Sequence, residues 1–297
     1  MESDAGHVPV LLDETLELLA VSSGGLWVDG TLGLGGHAEA VLRATAPDGR
    51  LVGFDRDEEA LERARARLLP FGARVRLEHA DYRELPARLG DERASGILLD
   101  LGVSSLQLDD AERGFSLKRE GPLDMRMDRS ARGTAAELVN RMRESELADL
   151  IHELGEEPFS RRIARAIVRA REASPIETTT RLAEIVRRAV PRTRRPGFHP
   201  ATRTFQALRI RTNRELDGLV EAIAGAAWCL RAGGRLVVIA FHSLEDRAAK
   251  QAFRTLAGRG FSLLTRKPLR PGEAEVKRNP RARSARLRAL VREEAAA

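Results

Sequence analysis

One cysteine, Cys229, is all that the 297 residues contain, so no disulfide within the chain braces the fold. That suits a reducing compartment, and a cytoplasmic location is expected. Cys229 lies in the alanine-rich stretch AAWCLRAGG and reads as inert core. Aromatic residues are sparse, at 4%. No apolar run approaches the ~20 residues that span a bilayer. The opening MESDAGHVPV is acidic and lacks the apolar centre of a secretion signal, so no membrane partner is expected. Lysine is scarce too: nearly all the basic residues are Arg, whose forked guanidinium suits phosphate better than a point charge does.

What is present is unevenly placed. A hydrophobic content of 42% suffices for a packed core, and the length suits one core domain carrying a sizeable insertion. Residues 1–110 hold 11 Lys and Arg against 21 Asp and Glu, whereas the remainder holds 39 against 23. Arg187 to Arg214 contains nine Arg and no acid, and Arg266 to Arg292 contains ten Lys and Arg against two Glu. An arginine-preferring genome would raise Arg everywhere without gathering it. Clusters this dense usually face nucleic acid.

The stretch Leu26 to Leu42, LWVDGTLGLGGHAEAVL, organises the first third. An apolar strand, Leu26-Trp27-Val28, turns at Asp29-Gly30 and runs through Gly33-Leu34-Gly35-Gly36 into a helix from His37. Such a turn lets a ligand lie against the main chain, with the free N–H groups of the helix start facing it. Further strands are predicted at 51–55, 75–79 and 96–100, with helices at 57–69 and 84–89 between them. Before them, Asp13 is the expected N-cap of a helix that follows an extended arm. Strands alternating with helices imply a parallel sheet. Asp29, Asp55, Asp81 and Asp100 stand at or just past four successive strand ends, which lines one rim of that sheet with acids.

The alternation stops after Ser105. Residues 106–133 are polar and irregular, and helices follow. Thr134 and Glu137 form an expected capping box. Ser145 opens a helix that stops at Gly155, residues 159–172 and 179–190 are amphipathic, and Pro200 suits the first turn of another helix. Alternation resumes with a helix through Leu230 ending at Gly233-Gly234, then a strand at 235–241. His242-Ser243-Leu244-Glu245-Asp246 leads into a helix with Ser243 and Asp246 as expected caps. Phe261–Thr265 and Leu287–Val291 read as an antiparallel hairpin at the sheet edge, joined by a basic loop.

Two nucleotide readings compete for this rim. Gly33-x-Gly35-x-x-Ala38 with Asp55 about 20 residues on satisfies a dinucleotide fingerprint, which would make the chain an NAD-dependent oxidoreductase. An S-adenosylmethionine site uses the same geometry and adds an acid after the third strand and a fourth-strand motif beside the methyl acceptor. Asp81-Tyr82 and Asp100 fill those places, with the Tyr82 ring available to stack on adenine. A dehydrogenase needs a proton relay, and His242 has no partner for one by sequence, so methyl transfer is the favoured reading. An RNA-binding ribosome-assembly factor with a non-catalytic cofactor fold is a further alternative.

The stretches HVPVLLDE (7–14), VDGTLGLGGHAEAVL (28–42), GFDRD (53–57), DLGVSSLQLDDAERGFS (100–116) and GPLDMRMD (121–128) occur here in order. They continue with GEEPFSRRIARAIV (155–168), RTFQALRIRTN (203–213), FHSLEDR (241–247) and NPRARSARLR (279–288). Together they resemble the RsmH (MraW) family of bacterial 16S rRNA cytosine-N4 methyltransferases. The resemblance implies an α/β, Rossmann-like class I S-adenosylmethionine-dependent methyltransferase with a helical insertion domain. On this reading residues 1–108 and 213–297 make the methyltransferase domain, and 109–212 the insertion, with a substrate-recognition role. It carries the cofactor residues onto Gly35, Gly36, His37, Asp55, Tyr82, Asp100 and Gln107; the family often has Phe where Tyr82 stands. The substrate it implies is a cytidine (position 1402) in the decoding centre of 16S rRNA, in the small subunit or a late assembly intermediate. A homodimer is compatible with it.

The exocyclic N4 of cytosine is a poor nucleophile because its lone pair is delocalised into the ring. An acceptor for one N–H would orient the amine and ease loss of the proton. Asp100 is the candidate, with His242 and Ser243 next, and a sulfonium methyl donor calls for no metal. Methylation on the ring carbon would instead want a cysteine nucleophile, which Cys229 does not supply. Arg203, Arg209, Arg211, Arg278, Arg281 and Arg283 are the expected RNA contacts. Blander roles stand beside these: His37 as a turn cap, His242 and Ser243 as helix caps, and Asp124, Arg126 and Asp128 as an ion-paired loop.

Overall fold

A computed structural model describes residues 9–191 and 199–294. His7 and Val8 of the first motif, and Arg192, Arg194 and Arg195 of the first basic cluster, lie outside the described residues. The chain divides into two compact units: residues up to Gly102 together with those from Leu216, and Val103–Glu215. These boundaries differ from the expected 108/109 and 212/213 by a few residues.

In the first unit the elements run α1 (Leu12–Leu19), β1 (Leu26–Asp29), α2 (Gly36–Ala44), β2 (Arg50–Asp55), α3 (Glu58–Leu68), β3 (Val75–His79), α4 (Leu85–Leu89) and β4 (Ala94–Asp100). The second unit supplies α5 (Ser105–Asp109), α6 (Ala135–Arg141), α7 (Glu144–Gly155), α8 (Ser160–Ala173), α9 (Thr179–Ala189) and α10 (Thr202–Asn213). The first unit resumes with α11 (Leu219–Trp228), β5 (Leu230–Ala240), α12 (Ser243–Leu256), β6 (Phe261–Leu263), α13 (Glu273–Arg278) and β7 (Arg286–Arg292). The seven strands lie in the order β3-β2-β1-β4-β5-β7-β6. β1 to β5 pair in parallel, and β7 runs antiparallel to both of its neighbours. The fold is Rossmann-like α/β.

The apolar strand runs reflect burial on both faces. Ile97 and Leu99 enter one core cluster with Phe54, Val238 and residues of α11 and α12. Leu98, between them, enters the other with Trp27, Val237 and residues of α2 and α3. Each such fully buried side chain contributes ~1.5–3 kcal/mol.

The structure corrects several local expectations. Asp13 is not the cap of α1: Leu11 is, in the left-handed conformation at φ 53°, and Asp13 sits in the first turn. The helix expected through Leu230 stops at Trp228, and Leu230 with Gly233 and Gly234 belongs to β5. Ala94 pairs with Leu230 and Gly96 with Arg235, so the glycine pair forms a bulge that absorbs the extra residues, with Gly233 at φ 73°. The basic loop before β7 contains α13 and a 3-10 turn over Pro280–Ser284.

The second unit packs α6 to α10 around Leu147, Ile151, Ile163, Leu182, Phe205 and Leu208. Thr134 caps α6 by accepting the Glu137 N–H at 3.2 Å, while the Glu137 carboxylate turns to Arg141 at 3.8 Å instead of back to the cap. α7 opens one residue before Ser145, with Glu146 accepting the Arg143 N–H at 3.1 Å. Pro200 precedes α10 and is not in its first turn. The GPLDMRMD stretch is held internally. Asn213 accepts the Met127 N–H at 2.8 Å and donates to Met125 O at 2.7 Å. Arg126 forks onto both carboxylate oxygens of Asp124 at 2.7 Å. Asp128 accepts the Ser130 N–H at 2.8 Å.

Candidate active site

In a doubly wound sheet a ligand crevice forms at the carboxyl ends of the two strands where the order of connection reverses. Here those strands are β1 and β4, ending in Asp29 and Asp100. Thr31 ties the two ends together. Its N–H donates to Asp29 Oδ1 at 3.1 Å, and its hydroxyl oxygen accepts the Asp100 N–H at 2.6 Å. Thr31 is not among the residues expected from sequence, although an Asp-Gly-Thr run just past a strand end puts a hydroxyl within reach of the next strand.

The turn beyond Thr31 leads into α2. Gly35 caps it at φ 76°, a left-handed conformation that glycine adopts without strain. His37 lies buried in the first helical turn, with Nε2 at 3.0 Å from Val10 O and Nδ1 at 3.8 Å from Asp100 Oδ2. A carbonyl oxygen can only accept, so Nε2 carries the hydrogen and Nδ1 is the atom turned to Asp100.

Asp100 has an oxygen to spare. Its Oδ1 is shut off from solvent and has no hydrogen-bond partner among the described residues. Buried oxygens are normally paired, and a ligand N–H or O–H would supply the missing donor. Burial, then the nearby Asp29 and Glu245 charges, hold the Asp100 carboxyl well above the ordinary carboxylate range. Burial also raises Asp29 to about 7, partly offset by the Thr31 N–H and reinforced by Asp55.

Asp55 Oδ2 accepts the Gly33 N–H at 2.7 Å, and Oδ1 accepts the Asp57 N–H at 2.9 Å. Each oxygen keeps a second lone pair. Burial raises this acid to about 6 against those two hydrogen bonds. Asp81 caps the short turn that begins at Tyr82, accepting the Arg83 N–H at 2.9 Å and pairing with Arg83 at 2.7 Å and Arg56 at 3.6 Å. The Tyr82 ring carries the Arg83 guanidinium 5.1 Å from its centroid.

At the end of β5, His242 is the cap of α12, displacing Ser243 and Asp246 from the expected role. Its Nδ1 accepts the Glu245 N–H at 3.4 Å. Glu245, 2% exposed, replies with Oε2 accepting the Phe241 N–H at 2.8 Å and the His242 N–H at 3.3 Å. Ser243 is the first residue of the helix. Asp246 instead pairs with Arg288 at 2.7 Å and Arg286 at 3.2 Å. Glu245 is a second residue not expected from sequence; its signal is the three-residue spacing from a histidine at a helix start.

Gln107 belongs to the second unit, where it is buried and closes a reciprocal cap with Ser104. Of the expected RNA contacts, Arg278, Arg281, Arg283 and Arg211 are exposed. Arg209 is bound bidentately to Glu215 at 2.8 and 2.9 Å, and Arg203 donates to Glu156 O at 2.9 Å. Those two are engaged within their own unit. No helix among the described residues is long and apolar enough to cross a membrane.

A family model described as the MraW methylase family matches residues 4–293. The chain is similar to the ribosomal RNA small subunit methyltransferase H of Geobacter sp. (strain M21), 50% identical over 97% of this chain and 98% of that one. The protein of the same name from Symbiobacterium thermophilum is 52% identical, over 96% of each chain. The one from Acidobacterium capsulatum is 52% identical over 95% of this chain and 97% of its own.

Proposed function

This chain belongs to the MraW methylase family, and from that premise we propose that it methylates the exocyclic N4 of a cytidine in 16S rRNA, using S-adenosylmethionine. The reaction belongs to the cytoplasm, on the small ribosomal subunit or a late assembly intermediate. The observation that carries the reading is the Asp100 carboxylate, with a buried, unpartnered Oδ1 at the β1–β4 switch point.

S-adenosylmethionine supplies, when bound, an electrophilic methyl on a sulfonium sulfur. Gly35, Gly36 and His37 offer it the glycine turn and the N-terminal end of α2. The remaining lone pairs of Asp55 suit vicinal hydroxyls, and the Tyr82 ring suits the base. Asp100 accepts an N4–H, which orients the amine and gives its proton a destination as the lone pair is drawn from the ring. Burial raises the proton affinity of the Asp100 carboxylate, which favours its acting as that acceptor. His242 has its Nδ1 turned to its own helix, so it shapes the strand end instead of supplying a free base there. Arg211, Arg278, Arg281 and Arg283 bring exposed charge for phosphate.

The test is product identification. The protein is incubated with small subunits lacking the modification and S-adenosylmethionine labelled in the methyl group, and the RNA is digested to nucleosides. Label in N4-methylcytidine is the expected result. Label in 5-methylcytidine, or none, overturns the reading.

A further inference from the structure

Residues 9–11 cross the start of α2 before the chain enters α1. A Cβ built on Gly36 would stand 2.6 Å from Pro9 Cγ, so Pro9 packs directly on that glycine. The next residue, Val10, gives its carbonyl to His37 Nε2 at 3.0 Å. Leu11 follows in the left-handed conformation, which is unfavourable for any side chain, and is fully buried. This backbone course leaves the Leu11 N–H for a distant partner. It donates to Glu275 Oε1 at 2.7 Å, across 264 residues of sequence.

Glu275 lies on α13, inside the basic segment Arg266 to Arg292. An acid there opposes any phosphate the segment attracts, and its carboxylate is instead turned to the Leu11 N–H. The segment is rooted in the same core as the arm: Ala282 and Ala285 are fully buried in the cluster that holds Val10 and Leu11. The clip therefore joins two pieces already seated on one core, and the first of them touches both Gly36 and His37.

We infer that Glu275 is a positioning residue for S-adenosylmethionine binding. By fixing Leu11 it keeps Pro9 on Gly36 and Val10 on His37, and so sets the imidazole that faces Asp100. The inference rests on the proposal above that Gly35, Gly36 and His37 hold S-adenosylmethionine. A clip that served stability alone would lower the melting temperature without selecting one substrate.

The experiment uses full-length wild type, E275A, E275D and E275Q. Methylation of unmodified small subunits is followed with S-adenosylmethionine and RNA varied in turn, and S-adenosylmethionine binding is measured by calorimetry. E275A should raise KM and Kd for S-adenosylmethionine about tenfold, with kcat and the KM for RNA changed by less than about twofold. E275D should match E275A, because its carboxylate is one methylene short of Leu11. E275Q keeps an acceptor oxygen in place and should restore near-wild-type values. A cooperatively folded E275A with unaltered S-adenosylmethionine affinity overturns the inference. So does an effect on the KM for RNA alone, or an E275Q as weak as E275A. If E275A does not fold, the contrast between E275D and E275Q decides in the same way. A wild type that does not bind S-adenosylmethionine at all is a different result and sinks the proposed function itself.

Discussion

The Gly33 N–H points at Asp55 Oδ2 from 2.7 Å, so the acid that ends β2 also holds the glycine turn that follows β1. One side chain thus shapes the floor of the crevice and keeps lone pairs for a ligand. A substitution there acts twice.

Asp55→Ala should weaken S-adenosylmethionine binding by ~1.5–3 kcal/mol, as a charge-assisted hydrogen bond and the turn anchor go together. Calorimetric titration of the folded variant measures this. Unchanged affinity would remove Asp55 from the site.

Asp100→Asn keeps the shape at the end of β4 and removes the negative acceptor. Loss of a transition-state hydrogen bond to a charged group should slow the chemical step roughly 30- to 1000-fold. The measurement is single-turnover methylation at saturating S-adenosylmethionine and RNA. A rate within about threefold of wild type would move proton acceptance to another group.

The raised acids give the ligand-free protein a distinctive pH dependence. In the folded state Asp29 keeps its proton up to about 7, whereas the unfolded chain releases it near 4. The folded state therefore binds more protons across that window, and stability falls as pH rises from about 4 to about 7. Asp55 adds the same sign up to about 6. Asp29→Asn should be more stable than wild type at pH 8 by on the order of 4 kcal/mol, with the gap closing toward pH 4. Urea unfolding at several pH values checks this; a gap independent of pH would mean that Asp29 is ionised when folded.

Replacing Arg278, Arg281 and Arg283 together should weaken RNA binding and lower its salt slope by about one unit for each phosphate left without its guanidinium. S-adenosylmethionine affinity should stay where it is. An unaltered slope would assign RNA binding to the second unit, where Arg211 is exposed.

Much of the first unit was legible because its signals are local. The runs at β1, β2 and β4 are short, apolar and end in acids, and the structure sets Asp29, Asp55 and Asp100 at the ends of those strands. What escaped depends on distant partners. Leu230 reads as helix until Ala94, far away in sequence, claims it for the sheet. Ser243 is the better cap by residue type, yet His242 takes the role because Glu245 holds the turn from behind. Leu11 is an improbable cap, made tenable by a carboxylate near the other end of the chain. Arg209 looks available for RNA in sequence and is engaged by Glu215 in the structure.

The pairing of β4 with β5 comes late in synthesis. Ile97, Leu98 and Leu99 leave the ribosome early, but the strand that covers their free edge begins only at Leu230. All of Val103–Glu215 must be translated in the interval, which takes on the order of ten seconds at ~5–20 residues per second. Until then β4, with its apolar run Ile97 to Leu99, has no strand to pair with on that side. Unpaired edges recruit other strands. A chain cut short within the inserted helices lacks β5, and so leaves β4 without a partner on the side where the complete sheet has its centre.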